Sequence, residues 1–134
     1  MKKTYNLMVA VLISISLLAA TNESRCYAAE AYARENIAGA DFNCSLIYDE
    51  SYACASASFV GYTGTVKATA RGYYYNEDYC EVRISCSGSK TVPGGVSATV
   101  NCDDGYSFFA VEGEYKLASP RGKGDTSLYA VLEW

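Results

Sequence analysis

Apolar and polar positions begin to alternate at Asp41 and continue almost to the C-terminus, with the period of two that marks half-buried strands. The clearest stretch is 79–87, where Cys80, Val82, Ile84 and Cys86 share one face and Tyr79, Glu81, Arg83 and Ser85 the other. The pattern predicts strands over 42–48, 52–62, 65–75, 79–87, 96–102, 106–117 and 127–134. Turn residues separate them at Asp49-Glu50-Ser51, Thr63-Gly64, Asn76-Glu77-Asp78 and Asp103-Asp104-Gly105. Residues 87–95 contain Gly88, Pro93, Gly94 and Gly95 and read as a loop, because proline and paired glycines do not continue a ladder. Residues 118–126, with Pro120, Gly122 and Gly124, read as a second loop. About seven strands with almost no helical periodicity predict an all-β fold, an antiparallel sandwich or small barrel.

Upstream of Asp41 the pattern differs. Residues 21–40 are polar and alanine-rich, without firm periodicity, and read as a lead-in to a single β domain at 41–134. Residues 7–20 are apolar except for Ser14 and Ser16, and they follow Lys2 and Lys3. That run is shorter than the roughly 20 residues a membrane span needs, and it has the form of a signal peptide over 1–20. The small-x-small rule also allows cleavage as late as Ala28 or Ala33. The compact Lys-Lys head has a bacterial look. The reading is a secreted, extracellular protein that leaves the membrane once the signal is removed, in a compartment where disulfides persist.

Export changes how the cysteines at 26, 44, 54, 80, 86 and 102 are read. Six cysteines in a small exported chain suggest a disulfide-stapled fold, with fifteen possible connectivities. If 79–87 and 96–102 form a hairpin over the glycine-rich loop, Cys80 falls opposite Cys102, with all apolar positions on one face. A hairpin turning at Asp49–Ser51 sets Cys44 opposite Cys54 in the same way. Cleavage beyond Cys26 leaves five cysteines, with one thiol free or paired between chains.

Composition narrows the chemistry. The chain has no histidine, which removes Ser-His-Asp and Cys-His catalysis and histidine-containing zinc sites. The net charge of −4 falls to −6 when Lys2 and Lys3 leave with the signal, and no basic patch remains for phosphate, so nucleic acid is not an expected partner. The acidic pairs Asp49-Glu50, Glu77-Asp78 and Asp103-Asp104 lie at turns without metal-loop spacing. No metal, cofactor or catalytic residue is expected, and the chain is not expected to be an enzyme.

Thirteen tyrosines are the compositional oddity. Tyr73, Tyr75 and Tyr79 flank one turn, and tyrosine suits both protein paratopes and sugar-stacking surfaces. Arg121 and Lys123 are the one local basic concentration, within the second glycine-containing loop. These five residues are the candidate binding residues, for an unidentified protein or carbohydrate ligand. The expected role is that of a small secreted non-catalytic binding protein acting at or outside the cell surface. The alternative is a secreted effector, such as an antimicrobial, toxin-like or protease-inhibitor polypeptide.

Overall fold

A computed structural model describes residues 29–133. The leader, the cleavage alternatives at 20 and 28, Cys26 and Trp134 lie outside the described residues. Six antiparallel strands form one sheet: β1 (Ala29–Ile37), β2 (Ala40–Tyr48), β3 (Tyr52–Tyr75), β4 (Glu81–Asn101), β5 (Ala110–Ser119) and β6 (Gly122–Val131). The order across the sheet is β1-β2-β3-β5-β6, with β4 on the other edge of β3. No helix occurs among the described residues. β1 and β6 meet without a shared ladder, so the sheet is nearly closed into a barrel.

The architecture turns on β3, which is 24 residues long and serves two half-sheets. Its N-terminal half pairs with β2, its C-terminal half with β5, and both halves pair with β4. The register breaks between Phe59 and Gly64, where β3 advances five residues while β4 moves only from Gly94 to Val92. The excess of three is odd, so it reverses the pleat. Before the corner the buried positions are Ala53, Ala55, Ala57 and Phe59; after it they are Val66, Ala68, Ala70 and Tyr74. Both halves thereby turn their apolar faces to one interior, and alanine dominates the shared strand so the halves pack closely.

Phe42, Leu46, Phe59, Phe108, Val111 and Tyr115 fill that interior. Tyr115 crosses it, donating its hydroxyl from β5 to the Ser45 carbonyl of β2 at 2.6 Å. The Gly124 backbone in β6 lies against the Phe42 ring and Ile37, so close that a Cβ there would sit 2.7 Å from Phe42. Those contacts join the first two strands to the last.

Several sequence expectations give way to this geometry. The 87–95 loop is part of β4 and not a hairpin. Pro93 falls in the register break, between the Phe59–Gly94 and Gly64–Val92 pairs, so no ladder bond needs its missing N–H. Strands 79–87 and 96–102 are therefore two stretches of one strand running along β3. Cys80 and Cys102 flank its opposite ends rather than facing each other. At the other predicted bridge, Cys44 lies opposite Ala57 and Cys54 opposite Ile47. This register differs by three residues from the expected one, and an odd shift puts the two cysteines on opposite faces. All five described cysteines are free, with Cys44 buried and Cys80 and Cys86 exposed. The 118–126 loop contracts to a turn of two residues between Ser119 and Gly122. Residues 29–37 of the lead-in form β1, and cleavage after Ala33 would fall inside that strand.

Candidate binding surface

On the C-terminal half-sheet the pleat turns Lys67, Arg71, Tyr73 and Tyr75 of β3 to the outside, together with Thr69, which its neighbours cover, and opposite in direction to the buried Ala68, Ala70 and Tyr74. Register then assembles rows across the strands. Tyr73 lies between Arg83 of β4 and Ala110 of β5, and Ala110 lies beside Val131 of β6. One row further along, Ser85, Arg71, Glu112 and Tyr129 stand in line. Phe109, just before β5, closes the group: its ring stacks on Tyr75 at 4.5 Å and 14° and lies 6.5 Å from Tyr73. Tyr75, Tyr129 and Val131 are all more than half exposed, at 52, 62 and 56%. The result is an apolar and aromatic platform open to solvent.

An ion network fixes one side of it. Arg71 bridges Glu112 at 3.3 Å and Glu114 at 2.5 Å, while Lys116 reaches the other Glu114 oxygen at 2.9 Å. Tyr73 donates its hydroxyl to Glu112 at 3.0 Å, which holds its ring in place. Burial, followed by that hydrogen bond, raises the Tyr73 pKa, so the phenol stays neutral and a donor near neutral pH. Lys116 and then Arg71 lower the Glu114 carboxyl to about 2. Bonding to Glu114 raises Arg71 further above its ordinary value. The platform therefore combines rigid rings with charges already paired to one another.

Of the five candidate residues, the fold brings Tyr73 and Tyr75 together on one face. Tyr79 stands in the β3–β4 turn at φ 57° and is 88% exposed. That turn is closed by Asn76, whose side-chain oxygen accepts the N–H groups of Asp78 and Cys80. Arg121 lies in the β5–β6 turn and Lys123 near the start of β6, at the far end of the sheet. Lys123 pairs with Ala118 and Tyr73 with Ala110, positions separated by about 26 Å at the strand rise. They are not part of the platform. Phe109, Tyr129, Val131, Arg71 and Glu112 complete it and are missing from the sequence reading. Phe108-Phe109 beside a turn was the available signal, since adjacent strand residues face opposite ways and one of the two rings must point outward.

Two of the acidic turn residues have structural partners. Asp49 accepts bonds from Ser51 and Tyr52 backbone N–H groups, and Asp103 accepts the Tyr74 hydroxyl at 2.5 Å. That bond, with burial second, raises the Tyr74 phenol to about 12. No cluster of three metal-binding side chains occurs among the described residues. Burial drives the Cys44 thiol up to about 12, which makes it unreactive. On the N-terminal half-sheet, Tyr32, Ser45, Ser56 and Ser97 form a row across four strands and line a shallow trough of about 260 Å³.

No family model, curated protein or solved structure matches the chain. Among the described residues, no helix is long and apolar enough to cross a membrane.

Proposed function

We propose that this chain is a small secreted binding protein, without catalytic activity, that engages a protein or carbohydrate partner at or outside the cell surface. The platform of Tyr73, Tyr75, Phe109, Tyr129 and Val131 supports this reading. It holds rigid rings in the open at little entropic cost, beside guanidinium and carboxylate groups that give polar direction. A flat face of this kind suits a broad partner surface or a row of sugar rings better than a small molecule, which requires an enclosed pocket.

The test is binding of the labelled protein to a glycan array and to intact cells, with and without the platform. Replacing exposed Tyr75 and Tyr129 by alanine is expected to weaken binding about tenfold or more, as loss of aromatic anchors does, while the melting temperature stays within a few degrees. Replacing Arg121 and Lys123 is expected to change it little. Binding that ignores the platform residues, or turnover of the bound glycan or protein, refutes the reading.

A further inference from the structure

Among the described residues β4 pairs with β3 and no other strand, which leaves its outer edge open along its length. Residues 81–92 form an uninterrupted half of that edge, ending at the Pro93 bend, and pair without a break to β3. Folded proteins usually blunt such an edge with lysine, proline, a bulge or a covering loop. Here twelve residues carry one lysine, Lys90, and no proline. Most of their side chains are exposed, and Val82 and Ile84 are only partly covered by the core.

We propose that this edge pairs antiparallel with the same edge of a second copy, over residues 81–91, about a twofold axis at Cys86. Three observations support that register. First, in a twofold pair that continues the sheet, the numbers of opposed residues must have an even sum, or inner and outer faces would be exchanged. Two even registers overlap over eleven residues. The one centred on Ser87 brings buried Val92, beside the Pro93 bend, into the contact; the one centred on Cys86 leaves the bend clear. Second, the Cys86-centred register opposes no like charges. Glu81 meets Thr91, Arg83 meets Ser89 and Lys90 meets Val82 of the other copy. Third, the side chains fit: partly exposed Ile84 lies against Gly88 of the other copy, and Ser85 against Ser87. The joined sheet sets two aromatic platforms on one continuous face, so a multivalent partner gains avidity with no added contact.

Cys86 is exposed and free, and it reports the register. Residues opposed across an antiparallel pair have Cβ atoms about 4.5–5.5 Å apart, close to what a disulfide spans. Treating the full chain with oxidised glutathione is the probe. Two Cys86 thiols give up two electrons and two protons to one glutathione disulfide, forming the Cys86–Cys86 bond between copies and releasing two reduced glutathiones.

The full chain is measured by light scattering under reducing conditions, then oxidised and peptide-mapped. The expected result is a dimer when reduced and a Cys86–Cys86 link when oxidised. The double substitution S85K/S87K opposes lysines across the axis twice and is expected to weaken the dimer about tenfold. S85K/S87E opposes unlike charges and is expected to restore it. Both positions are exposed, so circular dichroism of each variant should match the parent. A monomer at about 100 µM, well above typical dimer dissociation constants, overturns the proposal. So does a dimer indifferent to the charge pair, or a link through any other cysteine.

Discussion

At Gly72 a missing side chain shapes the core. The Phe108 ring occupies the space in which a Cβ would stand, 2.2 Å from its nearest atom. Phe108 is fully buried and precedes Phe109, so its seat on Gly72 also sets where the platform ring emerges. Gly72→Ala is expected to destabilise the fold by about 1–3 kcal/mol, the range for overpacking a filled core, read as a lower urea midpoint at unchanged slope. Trimming the ring with Phe108→Leu in the same chain should recover part of that loss, because the two sites touch. No reading of the sequence reveals this pairing: Gly72 stands beside Tyr73-Tyr74-Tyr75 and looks like a weak point in a strand. That the Tyr73–Tyr75 run turns some ring outward was legible, since three consecutive large residues in a strand cannot all face inward; Tyr75 is the exposed one.

The β3–β5 pair carries the charged network, and its stability depends on pH through Glu114. Its carboxyl is held near 2 in the fold, against an ordinary value near 4.5, by Lys116 first and Arg71 next. The unfolded chain thus binds this proton more readily than the folded one. The stability it contributes is complete above about 4.5 and is lost as pH falls from there toward 2. A pH series of urea midpoints is expected to fall through that window. Glu114→Gln should lower the neutral-pH midpoint and flatten the decline; an unchanged slope would show the network to be solvent-screened.

Strands were the legible elements, and the limits of their legibility are physical. Period-two alternation found β2, both halves of β3 and both halves of β4, because each has one buried face. β1 escaped notice because all but one of its nine residues are at least partly exposed, and its alternating alanines carry little apolar signal. The glycine-rich run in β4 was misread because Pro93 ends a ladder only where an N–H is required. On an open edge, at a register break, none is. That one misreading also produced the Cys80–Cys102 pairing, since it made a hairpin out of a single strand.

At the scale of the molecule, β3 and β4 run through both half-sheets, so the two halves share one core and one continuous pair of strands. Among the described residues there is no seam between the two halves. The β5–β6 turn is the exception: Pro120-Arg121 is an exposed two-residue tip beyond the last ladder pair, Ser119–Gly122. Brief trypsin treatment is expected to cut there before anywhere within β3 or β4. The severed β6 should stay in place, held by ten paired residues and by Phe42 and Ile37 over Gly124. Native size exclusion should then return one peak of unchanged volume, and denaturing electrophoresis two fragments; a first cut inside β3 would contradict this. The backbone is thus dispensable as a continuous thread at Arg121, and indispensable along the whole of the strand that both halves share.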